Sequence, residues 1–273
     1  VLIVAYLTPI VILSTKIYGI PIPQLTYGQA IADITLREGQ FLKDGLATAA
    51  ALKPHIQPWF TYSPLNFFGI IFCMMVGTAS LPHILMRYFT TPSVRDARNS
   101  VAWSLFFIFL LYFSAPALAT FSKLQMIDPN LPTSIIGASV DHVMSLEWIQ
   151  KWSAIGLLAI KDSNADGILQ INEFFLNPDI IVLATPEMAG LPYVISGLVA
   201  AGGMAAAMST ADGLLLAMAN TLSHDLYYKI IDPKAEVKKR LMTSRILLLI
   251  IGAGGAAVAS LKLTGILCAV AWA

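Results

Sequence analysis

The sequence predicts an all-α, polytopic membrane protein, and three observations carry that prediction. Hydrophobic residues make up 57% of the 273 residues and charged residues 12%, about half the charged share of a soluble domain. Mean hydropathy is +0.72. The apolar residues lie in uninterrupted runs, and the charges gather between them. A disordered chain and an ordinary soluble enzyme are both excluded by this balance. The net charge of +1 gives no footprint for nucleic acid.

A helix needs about 20 apolar residues to cross the hydrocarbon core. Residues 1–15 read as the tail of a first span, and 65–86 and 101–120 as the second and third. Residues 191–220 read as a fourth, carrying the carboxylate of Asp212, and 246–261 as a short fifth, rich in Gly and Ala. A further span is expected to start after Lys262. The chain begins and ends inside apolar runs, so residues 1–273 are expected to be a piece of a longer protein, cut within membrane segments at both ends. Cys73 and Cys268 sit in apolar runs and suggest neither a disulfide framework nor a zinc site.

Loop charges predict the orientation. Arg87, Arg95 and Arg98 follow the second span, and Lys229, Lys234, Lys238, Lys239, Arg240 and Arg245 follow the fourth. Both loops are net positive and so are expected in the cytoplasm. Residues 121–190 hold three cations against eight anions, a net charge of −5, and are expected outside. The Pro-rich segment 20–58 reads as a first external loop.

Three places carry chemistry. In the second span, Gly77, Thr78, Ser80 and Pro82 cluster. Pro82 lacks an amide hydrogen and clashes with the preceding turn. Broken membrane helices are where transporters place solute and ion sites; an ordinary proline kink is the plain alternative. His83, close to Arg87, reads as an interfacial residue. In the fourth span, Gly202, Ala206, Ser209, Gly213 and Ala217 form one stripe of small residues, suited to close helix approach. Packing explains the Gly and Ala. It explains less well the Ser209–Thr210 pair, whose hydroxyls suit a hard monovalent cation. Asp212 is costly in lipid unless it pairs or faces the interior; a place near the cation, a proton relay and a bond to backbone all stay open.

The third place is the loop DSNADGILQINE at 162–173, which matches the EF-hand calcium pattern. Asp162, Asn164 and Asp166 fill positions 1, 3 and 5, Gly167 makes the turn, Ile168 offers its carbonyl, Gln170 acts through water, and Glu173 is the bidentate ligand. The spacing predicts an entering helix over 146–160 and a short exiting helix over 171–176. No Walker-type phosphate loop is present, and the four histidines show no metal-ligand spacing. No catalytic constellation appears, so an enzyme is not expected.

Two stretches now resemble one family. GTASLPHILMRYFT at 77–90, followed by RDARNS at 95–100, is similar to the acetate-permease branch of the sodium:solute symporters. AAAMSTAD at 205–212, with SHDLY at 223–227, resembles that family's sodium-site helix. The resemblance implies a LeuT-like inverted-repeat fold, with the spans as core helices 5 to 9 and the start of 10 after Lys262. It implies sodium bound by the Ala206 carbonyl and the Ser209 and Thr210 hydroxyls, and solute beside 77–82. It also implies a bacterial inner membrane location, with a small membrane accessory subunit as an allowed partner. Some acetate permeases lack the hydroxyl pair, so its presence here weighs towards sodium and away from a direct transfer of acetate. The expected function is sodium-coupled symport of a small solute, a monocarboxylate such as acetate, with a structural Ca2+ in the external loop. The alternatives are proton-coupled symport through Asp212 and a calcium-binding membrane sensor.

Overall fold

The computed structural model describes residues 2–48, 52–57, 59 and 62–261. The chain is mostly helical and divides into two compact units, residues 1–62 with 103–205, and residues 63–102 with 206–273. Among the described residues, four helical stretches are long and apolar enough to cross a membrane: Pro64–Phe89, Val94–Ile127, Tyr193–Ile231 and Val237–Ser260. A bent pair, Leu2–Tyr18 with Pro23–Lys43, makes a fifth if counted as one span. The span expected after Lys262 lies outside the described residues.

The first unit opens with α1 (Leu2–Tyr18) and α2 (Pro23–Lys43). Gly19, at φ +73°, ends α1 in the left-handed region, where a residue without Cβ meets no penalty. Pro23 starts α2, where its missing N–H costs nothing. The 60° corner between them is tied by buried Ser14, whose hydroxyl donates to the Ile20 carbonyl at 2.6 Å and pairs with Thr26 at 2.8 Å. So most of the segment expected as a first external loop is helix. Its sequence allows this, because Ala30, Ile34 and Phe41 recur on one face and are buried.

The third long helix, α5 (Val94–Ile127), runs seven residues past the predicted span end. Phe121 and Leu124 are fully buried there with Ile10, Leu13, Ile34, Ile135 and Ile149. A packed core, with no need of lipid, therefore holds that end of the helix. Two short helices follow, α6 (Val140–Ser145) and α7 (Glu147–Ala154). Ser139 caps α6 by accepting the His142 amide.

The predicted entering helix over 146–160 stops at Ala154. Gly156 turns with φ +74°, and β1 (Leu158–Ile160) pairs antiparallel with β2 (Phe174–Leu176). The predicted exiting helix is one 3-10 turn, Ile171–Glu173, followed by β2. The reason is visible in the residues. Leu158 and Ile160 on one strand, and Phe174 and Leu176 on the other, turn towards the core, while Ala159 and Phe175 are exposed. That is the period of two that a strand requires. The chain then forms α8 (Ile181–Met188) and enters α9 (Tyr193–Asn220).

The second unit holds α3 (Pro64–Ser80), α4 (Pro82–Phe89), the start of α5, the later part of α9 and α10 (Val237–Ser260). Ser63 caps α3 by accepting the Asn66 amide. From Thr221 to Ile231, α9 continues as a wider π-helical segment. No described residue of α3 or α10 is buried, so their apolar side chains are left for lipid or other helices.

A charge network fixes the first unit. Glu38 is only 4% exposed. It accepts a hydrogen bond from Lys123 Nζ and from the His55 amide at 3.2 Å, while the His55 ring pairs with Thr120 at 3.2 Å. Burial, and then the Lys123 charge, hold the His55 imidazole below its ordinary pKa against the opposing pull of Glu38. Lys123→Met should strand a buried carboxylate and destabilise the fold by about 3 kcal/mol, read as a lower Tm of the full-length protein. Glu38→Gln with Lys123→Met should recover most of that loss. Equal Tm values for the single and double variants would show that the pair does not hold the unit.

Candidate functional site

The span Pro64–Phe89 is broken where the sequence places its proline. Leu81 is extended, at φ −61° and ψ 119°, and separates α3 from α4. Pro82 has no N–H, so the Thr78 carbonyl loses its helical partner. The carbonyl of Leu81 takes up the amides of Ile84 and Leu85 at 3.1 and 3.2 Å, and the Ser80 hydroxyl donates back to the Gly77 carbonyl at 3.0 Å. Gly77, Thr78 and Ser80 are exposed in this chain.

The candidate cation ligands fall on one turn of α9. The Ser209 hydroxyl donates to the Ala206 carbonyl at 2.9 Å, and the Thr210 hydroxyl to the same carbonyl at 3.3 Å. Hence three uncharged oxygens gather around one point of the helix, the donor type that a hard cation prefers. Both hydroxyls turn back onto their own helix in the ordinary way of Ser and Thr, and both are exposed. Asp212 is exposed and forms no salt bridge among the described residues.

Three residues to which the sequence reading gave no part in the site, His83, Arg87 and Gly213, bring these two places together. His83, read as interfacial, is buried to 9% exposure against Gly213 of α9. A Cβ at Gly213 would stand 3.3 Å from His83 Cβ and 3.5 Å from Arg87 Nη2. Arg87 also reaches the Ser209 carbonyl, at 3.4 Å. The short helix after the break is thus seated on the turn that carries Ser209. Among the described residues, Nδ1 of His83 is buried without a hydrogen-bond partner. The signal for this contact was the small-residue stripe itself: Gly213 belongs to it, and so does Gly202, where a Cβ would fall 2.4 Å from Ala5 Cβ of α1.

The 162–173 loop lies in the first unit, closed by the β1–β2 pair and by the Lys161 amide donating to the Glu173 carbonyl at 2.9 Å. Ala165 and Gly167 are left-handed, at φ 58° and 72°. The Asp162 carboxylate accepts the amides of Ala165 at 2.7 Å and Gly167 at 3.1 Å. Asn164 Oδ1 accepts the Asp166 amide at 3.1 Å. The Ile168 amide holds the Asp166 carboxyl below the usual carboxylate range, and Asn164 and Gln170 also donate to it. Leu169 is fully buried and exchanges backbone bonds with Gly137 and Ala138 at 2.8 and 2.9 Å. Glu173 is fully buried, its two oxygens accepting the amides of Ser163 at 2.9 Å and Gln170 at 3.1 Å. Among the described residues, no three His, Cys, Asp or Glu side chains form a group able to hold a metal ion.

The close seat at Gly213 makes a measurable claim. Gly213→Ala forces His83 or Arg87 to give way and should destabilise the full-length protein by about 1–2 kcal/mol through overpacking. Gly202→Ala, with its deeper overlap, should cost more. Thermal unfolding of both variants tests the order; a Gly213→Ala protein at least as stable as the parent would refute the seat.

Comparison with known proteins meets this geometry. Residues 155–271 match the sodium:solute symporter family. An uncharacterized symporter of Cupriavidus necator is 50% identical over 200 residues, which are 72% of this chain and 28% of that relative. A monocarboxylic acid transporter of Corynebacterium glutamicum is 30% identical over 100 residues, 37% of this chain and 16% of that relative. The chain thus spans less than a third of the length of the curated relatives it matches. No solved structure matches it. Residues 155–271 thus match the sodium:solute symporter family, in a chain whose described residues include four helical stretches long and apolar enough to cross a membrane.

Proposed function

We propose that this chain forms core helices 5 to 9 of a LeuT-like secondary transporter that couples sodium entry to uptake of a small monocarboxylate, acetate being one such solute. The observation that carries the reading is the gathering of the Ala206, Ser209 and Thr210 oxygens on one turn, with the helix after the break seated against it. Sodium would bind those three oxygens. The solute would lie beside Gly77, Thr78, Ser80 and Pro82, where the break leaves backbone groups to be satisfied by a ligand or by water. The family match supports sodium. The name of the Corynebacterium relative, a monocarboxylic acid transporter, supports the solute class. Loop charge supports the orientation in a bacterial inner membrane, with 121–190 outside.

Uptake of radiolabelled carboxylates by the full-length protein in proteoliposomes tests the reading. A sodium gradient should drive it. Ser209→Ala and Thr210→Ala should each raise the half-saturating sodium concentration about tenfold, the scale of one charge-assisted contact, while Thr78→Ala should act mainly on solute affinity. Sodium-independent uptake, driven by a proton gradient and lost in Asp212→Asn, would replace this mechanism with proton symport.

Calcium binding by the 162–173 loop is the second part of the proposal. Asp162, Asn164, Asp166, the Ile168 carbonyl and Glu173 would hold the ion, with Gln170 through water. Hard oxygen donors in this order and the left-handed turn at Gly167 support it. The Glu173 carboxylate would have to leave the amides of Ser163 and Gln170 to take part. The ion's role would be structural, pinning the loop. Millimolar calcium, matched to an external site of about 10⁻⁴ to 10⁻³ M, should raise Tm, and Asp166→Asn should remove the increment. A Tm insensitive to chelation and to calcium would dismiss the site.

A further inference from the structure

We propose that the start of α10 is a binding site for one anionic phospholipid. A cavity of about 730 Å3 lies between the end of the π-helical segment and the first turns of α10. Lys234, Lys238, Lys239 and Arg245 line it, together with Asp232, Glu236, Leu241 and Met242. Arg240, in the middle of this basic run, is committed elsewhere. Its guanidinium lies 3.4 Å over the Tyr228 ring and its Nε donates to the Ala235 carbonyl at 3.0 Å, which fixes the turn. Lys239 stands 3.7 Å from Asp232. Lys234, Lys238 and Arg245 form no salt bridge among the described residues. Four cations therefore face the cavity against two carboxylates, and among the described residues Lys234, Lys238 and Arg245 form an ion pair with neither.

The pattern along α10 identifies the ligand class. Lys238, Leu241, Met242 and Arg245 stand at i, i+3, i+4 and i+7 and so share one face. Leu249 continues the same stripe one turn on. Leu241, Met242 and Leu249 are 55%, 60% and 71% exposed. A soluble phosphate has no use for that apolar extension. A phospholipid uses both parts, its phosphate among the cations and its acyl chains along the exposed stripe. Juxtamembrane Lys and Arg attract anionic lipid by about 1 kcal/mol each, which is about fivefold in affinity per residue.

The test uses the purified full-length protein in neutral phosphatidylcholine containing one fifth phosphatidylglycerol, with bound lipid counted by native mass spectrometry. One phosphatidylglycerol should be retained, and its affinity should fall on the order of a hundredfold in the Lys234→Gln, Lys238→Gln, Arg245→Gln triple variant. Arg95→Gln with Arg98→Gln, which removes two other cations of the same unit, should leave retention unchanged, as should the charge-keeping pair Lys238→Arg and Arg245→Lys. No phosphatidylglycerol retained by the parent protein would overturn the proposal. So would equal losses in the triple and in the Arg95, Arg98 variant, the mark of diffuse surface charge, or displacement by millimolar inorganic phosphate. The outcome is independent of the transported solute and of the coupling ion.

Discussion

Pro82 has no amide hydrogen, and the arrangement of the second unit depends on that missing donor. A membrane helix has no water to satisfy the carbonyl left behind, so the chain must break where protein, solvent or ligand can serve it. Leu81 turns extended, the helix restarts at Pro82, and the new helix places His83 and Arg87 against α9. The candidate solute region and the candidate cation turn are linked through this eight-residue helix.

Small residues allow that link. Gly213 leaves room for an imidazole and a guanidinium at van der Waals distance, and Gly202 does the same for Ala5 of α1 within the first unit. In lipid, where apolar side chains gain nothing by leaving a solvent that is already apolar, close backbone approach and dispersion contacts do the associating. The stripe on α9 thus has a packing role at two of its members and presents ligand-type oxygens at two positions between them. The two readings that its sequence allowed are compatible on one helix.

The first unit solves a different problem, how to bury carboxylates. Glu38 is neutralised by Lys123 and bonded by the His55 amide. Glu173 has no cation beside it in the described contacts and relies on the amides of Ser163 and Gln170. Fixed N–H dipoles can hold a buried negative charge. They also leave Glu173 as the ligand that must change partners most if the loop is to close on an ion. The β1–β2 pair beneath the loop and the Leu169 backbone bonds above it keep the ends in place, so such a change can be local.

Much of this was legible in the residues. Composition and run length fixed the membrane class, because transfer of apolar surface dominates every other term at these lengths. Pro82, with Gly77, Thr78 and Ser80 beside it, pointed to a break with an ordinary kink as the alternative, and Ser209 and Thr210 fall on one turn because adjacent positions of a helix of period 3.6 must. The sequence did not show that the 20–58 segment is largely helical, that the calcium-type loop is closed by strands in place of helices, or that His83 is buried. Those outcomes depend on partners distant in the chain: the core that receives Ala30 and Ile34, the pairing of Leu158 with Leu176, and the groove that Gly213 opens on α9. Local pattern specifies which faces are apolar. Which face meets which is decided only when the tertiary structure brings them within van der Waals reach.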